Sequence, residues 1–113
     1  MQILITGATG GIGFAIATHF AAAGHKVVLA DLQQHLLDEK VAALRAQGFN
    51  ADGIVLNITS AEDIARCAAQ YPCDVLINNA GIQHTAALIE MPRERWDSIL
   101  AINLSAAFDT MRL

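Results

Sequence analysis

The stretch Thr6-Gly7-Ala8-Thr9-Gly10-Gly11-Ile12-Gly13 constrains this chain more than any other. A short apolar run, Ile3-Leu4-Ile5, precedes it, and a helical pattern follows. The sequence therefore predicts a strand, a tight glycine turn and a helix N-terminus. The first N–H groups of a helix have no partners within it, and the helix dipole adds partial positive charge there. Such an end is a cradle for a diphosphate. Glycines let the backbone turn at positive φ and let a phosphate approach with no Cβ in the way.

The first helix is expected from about Gly11 to Ala23. Ile12, Ile16 and Phe20 form one apolar stripe, and Ala15, Ala17, Ala21 and Ala22 keep the helix slim. Gly24 is placed to cap it, and Val27–Ala30 reads as a second strand, parallel to the first. Asp31 ends that strand about 20 residues beyond the glycines, where a carboxylate can accept hydrogen bonds from both hydroxyls of an adenosine ribose. It would also repel a 2′-phosphate, so it favours NAD over NADP. The plainer role for Asp31 is to end a strand and start a turn.

Gln33 to Gln47 reads as helix, with Leu37, Val41 and Leu44 on its apolar face and Gly48 as its stop. Ile54-Val55-Leu56 is the next strand, and Asn57 and Ile58 lie at its C-terminal end, where ligands bind in open parallel sheets. Ser60-Ala61-Glu62-Asp63 resembles a capping box that opens a helix to about Gln70, with Cys67 on the core face. Asp74 leads into a fourth strand, Val75-Leu76-Ile77, which ends in Asn78-Asn79-Ala80-Gly81. A polar loop, Ile82–Met91, follows. Pro92 then starts a last helix, along which Trp96, Ile99, Leu100, Asn103, Leu104, Ala107, Phe108 and Met111 recur at helical spacing. The alternation predicts the α/β class: a Rossmann-type doubly wound parallel sheet of about four strands, in the order 3-2-1-4. The fourth strand should be an open edge, so the fold reads as truncated.

Composition narrows the function. The chain has 113 residues and is 54% hydrophobic, which excludes disorder and suits a sheet covered on both faces. A net charge of −4 argues against a nucleic-acid partner. No apolar run approaches the ~18 residues of a membrane span, so no membrane partner is expected. Cys67 and Cys73 have no metal-ligand spacing and read as reduced thiols, with a cytoplasmic location as the default. No metal site is expected.

Thr6-Gly7-x-x-x-Gly11-x-Gly13, Asn78-Asn79-Ala80-Gly81 and Asn103-Leu104-x-x-x-Phe108 together resemble the short-chain dehydrogenase/reductase family, over essentially the whole chain. Glycines at 7, 10 and 13 would also suit the longer, sugar-nucleotide-modifying branch. The Asn-Asn-Ala-Gly tail and the Asn103 helix favour the shorter oxidoreductase branch. Residues Ile82-Gln83-His84, Trp96-Asp97 and Ala101–Phe108 look like those of members that oxidise small 3-hydroxy acids such as 3-hydroxybutyrate with NAD. The related 3-ketoacyl reductases share most of these motifs.

The resemblance implies a role for each matching position. Gly7, Thr9, Gly10 and Ile12 would line the diphosphate, with Gly13 completing the glycine motif. Asp31 and Leu32 would hold the adenosine ribose. Asn57 and Ile58 would flank the adenine; many relatives have Asp where Asn57 stands, and an amide could still meet the adenine amino group through its carbonyl oxygen. Asn79, Ala80 and Gly81 would pass beneath the ribose and nicotinamide. Gln83 would contact a substrate carboxylate, although Gln83 and His84 equally suit a solvated loop. Asn103 would hold a water in the proton relay, the alternative being a satisfied polar core residue. The cofactor is NAD, the substrate a small molecule and the complete enzyme a homo-oligomer.

The family's chemistry also needs a Ser and a Tyr-x-x-x-Lys. The one tyrosine is Tyr71, and Val75 stands four residues later. The 113 residues are therefore expected to be a single NAD-binding domain, incomplete at the C-terminus and inactive alone. A nucleotide-binding or pairing module without catalysis is the alternative.

Overall fold

A computed structural model describes residues 1–112. Strands β1 (Gln2–Thr6), β2 (Lys26–Asp31), β3 (Ala51–Val55) and β4 (Val75–Ile77) form one parallel sheet in the order β3-β2-β1-β4. Helices α1 (Gly11–Ala22), α2 (Gln34–Ala46), α3 (Ala61–Gln70), α4 (Arg93–Leu100) and α5 (Ala106–Met111) connect and follow the strands. This is the doubly wound arrangement that the alternation predicts. Ile3 and Ile5 register with Val27 and Leu29, and Leu4 with Val28.

Side chains alternate across the sheet, so each strand feeds two cores. Ile3, Ile5, Val27 and Leu29 pack with Leu37, Val41 and Leu44 of α2 and with Ala17 and Ala21 of α1. Leu4, Val28, Ala30, Ile54 and Leu56 pack on the opposite face with Ile64 and Cys67 of α3. Cys67 is buried, and removal from water pushes its thiol above the ordinary value of 9.0.

Two expectations need correction. The face of α1 on the sheet is Gly13, Ala17 and Ala21, whereas Ile12 is 74% exposed and Ile16 and Phe20 sit at the flank. Small residues let the helix axis come close to the strands, and the larger side chains then splay to either side. Strand β3 begins at Ala51, earlier than its Ile-Val-Leu run. Pairing with β2 overrides the poor strand propensity of Ala51-Asp52-Gly53, and Asp52 is held by Lys26 at 3.1 Å and Arg45 at 2.6 Å. The last helix runs on from α4 to α5 with helical dihedrals at both junctions, as its periodicity predicts. A π-helical turn, Ala101–Ser105, joins α4 to α5, and Ala106 N–H reaches back to Ala101 O. Trp96, Leu100, Leu104, Phe108 and Met111 along this segment are exposed, and Ala106 is its buried residue.

The two sheet edges differ. Strand β3 turns the carbonyls of Ala51 and Val55 away from β2. Arg45 Nε donates to Ala51 O at 2.8 Å, and Arg66 Nη2 donates to Val55 O at 2.7 Å. Strand β4 pairs with β1 and, among the described residues, has no strand on its other side.

Candidate functional site

All four strands are parallel, so their C-terminal ends open on one side of the sheet. A cleft of about 550 Å³ lies there, at the point where the chain order reverses between β1 and β4. The turn after β1 contributes Gly7, Thr9, Gly10, Gly11 and Ile12. The end of β2 contributes Asp31 and Leu32, the segment after β3 Asn57, Ile58 and Thr59, and the tail of β4 Asn79, Ala80, Gly81 and Ile82. Most of the positions singled out in the sequence thus meet in one place.

The floor is braced by hydrogen bonds that tie the end of β1 to the tail of β4. Thr6, 2% exposed, accepts at Oγ1 from the N–H groups of Asn79 (3.1 Å) and Ala80 (3.0 Å). The Asn79 amide donates to Thr6 O at 3.0 Å and Gly7 O at 3.2 Å. The side chain of Asn79 therefore fixes the floor, and its backbone with Ala80 and Gly81 faces the cleft. Gly7 turns at φ +64, and a methyl there would lie 2.8 Å from Ala80 Cα. A methyl at Gly13 would strike Gly7 O and come within 2.9 Å of Ala8 Cα. Gly13 does not line the cleft; it lets α1 close against the turn. Gly11, by contrast, has open space where a methyl would go. That is the geometry of a backbone cradle, and it fits a diphosphate at the N-terminus of α1.

Asp31 lies across the cleft mouth from the turn. Its Oδ2 accepts from Thr9 N–H at 3.0 Å and Thr9 Oγ1 at 2.6 Å, and its Oδ1 from Leu32 N–H at 2.8 Å. Thr9 thus faces Asp31 as well as the diphosphate cradle. A carboxylate accepts about four hydrogen bonds, so capacity remains for a ribose hydroxyl.

Asn57 departs from the expected role for its carbonyl oxygen. Oδ1 already accepts from Thr59 N–H at 3.0 Å and Thr59 Oγ1 at 2.6 Å. The amide faces its own turn because a Thr two residues on supplies both donors. Asn57 N–H is taken in turn by Asp63 Oδ2 at 3.1 Å, while Asp63 N–H is capped by Ser60 Oγ. The Ser60 cap forms as the sequence predicts, but the acid of the box closes on Asn57.

Asn103 and Gln83 lie outside the cleft wall. Asn103 Oδ1 accepts from Ile82 N–H, and Nδ2 donates to Ile82 O, each at 2.8 Å. Its side-chain oxygen and nitrogen each hold a main-chain partner, so its amide clamps the loop beside Gly81. Asn103 lies within the π turn. Gln83 and His84 are exposed on the chain leading away, and Ile82 is the residue of that loop that lines the cleft. Thr59 is the residue of this site that the sequence pattern leaves unmarked, and the Asn-x-Thr triplet is its available signal.

The sheet, its helices and the cleft at the strand exits define a Rossmann-like α/β fold. The chain belongs to the short chain dehydrogenase family, whose pattern matches residues 1–113. That family comprises oxidoreductases that bind nicotinamide cofactors. The chain is 40% identical over 117 residues to D-beta-hydroxybutyrate dehydrogenase of Cupriavidus necator, covering 97% of this chain and 45% of that one. It is 35% identical over 115 residues to a 3-oxoacyl-[acyl-carrier-protein] reductase of Thermotoga maritima, covering 97% and 47%. The crystal structure of a variant actinorhodin polyketide ketoreductase with NADPH superposes with a TM-score of 0.91 at 33% identity, over 98% of this chain and 44% of that one. The chain spans less than half the length of the curated relatives it matches.

Proposed function

We propose that residues 1–113 are the NAD-binding domain of a longer oxidoreductase acting on a small 3-hydroxy acid such as 3-hydroxybutyrate. The observation that carries this reading is the convergence of the glycine turn, Asp31, Asn57 and the Asn79–Gly81 tail on one cleft. In this reading Gly7, Thr9, Gly10 and Ile12 run along the diphosphate. Asp31 and Leu32 hold the adenosine ribose, and Asn57 and Ile58 flank the adenine. Ala80 and Gly81 face the nicotinamide end. The bound nicotinamide supplies or accepts the hydride; the residues here bind and orient it. Asn103 acts by fixing Ile82 at that end.

Preference for NAD rests on Asp31. A 2′-phosphate ~4 Å from its carboxylate would be repelled by roughly 4 kcal/mol at an effective dielectric of ~20, less where water enters. The 3-hydroxy acid reading draws on the likeness to the Cupriavidus enzyme, and the 3-ketoacyl reductases are its rival.

A second reading is a nucleotide-binding module without catalysis, and the position of Tyr71 is compatible with both readings. Tyr71 lies before β4, at the strand-entry end of the sheet, with the Lys26 ammonium 5.6 Å over its ring. It cannot serve the cleft at the strand exits.

Calorimetric titration of the 113-residue chain with NAD⁺ and NADP⁺ tests the binding reading. Tighter binding of NAD⁺ is expected, and no binding of either nucleotide would refute it. The chain alone should form no NADH from 3-hydroxybutyrate. NADH formation by a polypeptide extended past Leu113 decides between the enzyme and the module.

A further inference from the structure

We infer that the purine corner of this cleft selects with a hydrogen-bond donor, and therefore accepts a 6-oxopurine nucleotide as readily as a 6-aminopurine one. The inference rests on the purine nucleotide reading given above. Its basis is the accounting of one amide.

Asn57 lines the cleft immediately after β3. A carbonyl oxygen has two lone pairs, and Oδ1 already meets two donors, Thr59 N–H and Thr59 Oγ1. The backbone N–H can only donate, so it also decides which end of the amide faces it. Nδ2 there would set donor against donor. Asn57's own N–H is spent on Asp63 Oδ2. What its side chain can still offer a ligand is Nδ2–H.

A purine presents different partners to such a donor. Adenine carries an amino group at C6 and an acceptor at N1. Hypoxanthine carries an acceptor oxygen at C6 and a proton at N1. A carboxylate at position 57 would accept from the adenine amino group and repel the hypoxanthine oxygen. The Asn57 donor instead meets N1 of adenine or O6 of hypoxanthine. Turning the amide over to reach the amino group would set Nδ2 against the Thr59 backbone N–H, which can only donate. Asn57 is thus a specificity-determining residue that relaxes discrimination at C6.

The test is calorimetric titration of the chain with AMP, IMP, NAD⁺ and the hypoxanthine analogue of NAD⁺. The wild-type dissociation constants within each pair should agree within about threefold, the scale of one neutral hydrogen bond. Asn57→Asp should favour adenine by about tenfold, the scale of a hydrogen bond to a charged group. Thr59→Ala frees one lone pair on Oδ1 and should shift the ratio part of the way toward adenine. Circular dichroism confirms that each variant folds. A wild-type preference for adenine of tenfold or more would overturn the inference, and so would a ratio unchanged in Asn57→Asp. So would weaker adenine binding in Thr59→Ala, because the Thr59 hydroxyl would then be the acceptor. Binding of none of the four nucleotides would overturn the proposed function, and the inference with it.

Discussion

The two glycines Gly11 and Gly13 belong to one motif, yet a methyl group should act on them with opposite sign. At Gly13 it would strike Gly7 O and lie 2.9 Å from Ala8 Cα, both backbone atoms that cannot swing aside. Overpacking of this kind costs about 1–3 kcal/mol. The methyl would also come within 2.6 Å of Asn79 Nδ2, displacing it from Thr6 O and Gly7 O. Each of those bonds contributes about 1 kcal/mol. Gly13→Ala should therefore lose about 3–5 kcal/mol in all. With a urea m-value of about 1.5 kcal/mol/M, the midpoint falls by about 2–3 M. Gly11, the first residue of α1, has nothing within 4 Å of a new methyl. Gly11→Ala should gain up to about 1 kcal/mol from helix propensity. Its methyl would enter the cleft, so nucleotide affinity should fall while stability rises. Urea unfolding of both variants beside wild type is the assay. An unchanged midpoint for Gly13→Ala, or a comparable loss for Gly11→Ala, would refute the assignment of Gly13 to packing and Gly11 to the cradle.

Asp31→Ala should narrow the gap between NAD⁺ and NADP⁺ affinities by tenfold or more, read by titration, because the charge facing the 2′ position is gone. It also frees Thr9 N–H and Oγ1, so the turn should exchange its amide protons faster. Buried Cys67 has a thiol raised above 9.0. An acid whose folded value is raised keeps its proton while the unfolded chain loses it, so its contribution is complete below pH 9 and declines above it. Unfolding midpoints measured from pH 8 to 10 should fall, and Cys67→Ala should flatten that decline. Asn103→Ala removes both bonds to Ile82 and should expose the Ile82–Met91 loop to proteolysis with little change in the sheet, as limited digestion would show.

How much could be read from the sequence follows from which interactions are local. Strands β1 and β2 are short apolar runs buried on both faces, and such runs announce themselves. The Ser60 cap and the positive-φ stops at Gly24 and Gly48 are local backbone needs. Strand β3 was only half legible, since Ala51-Asp52-Gly53 owes its conformation to β2 and to the Lys26 and Arg45 ion pairs. The face of α1 was misread because hydrophobicity picks out Ile12, whereas close approach picks out Gly13, Ala17 and Ala21. The π turn at Ala101–Ser105 is a local widening that no helical period encodes, and the bond from its Asn103 to Ile82 joins positions twenty-one apart in sequence. Within the candidate site the glycines and Asp31 stood out by spacing. The saturation of Asn57 by Thr59 required knowing which way an amide points.

The unequal sheet edges have a consequence for growth of the molecule. The guanidinium groups of Arg45 and Arg66 occupy outward carbonyls on β3, so an incoming strand would have to displace two charge-assisted bonds before forming its own. Among the described residues no guanidinium holds a carbonyl of β4, and Ile77 O there accepts only from Asn79 N–H and Thr6 Oγ1. The sheet is in effect a zipper with one stopped end. A strand that joins it, from later in the same polypeptide or from another molecule, is directed to the side where β4 and the Asn79–Gly81 tail lie. Extension of the sheet and enlargement of the cleft wall are then the same event.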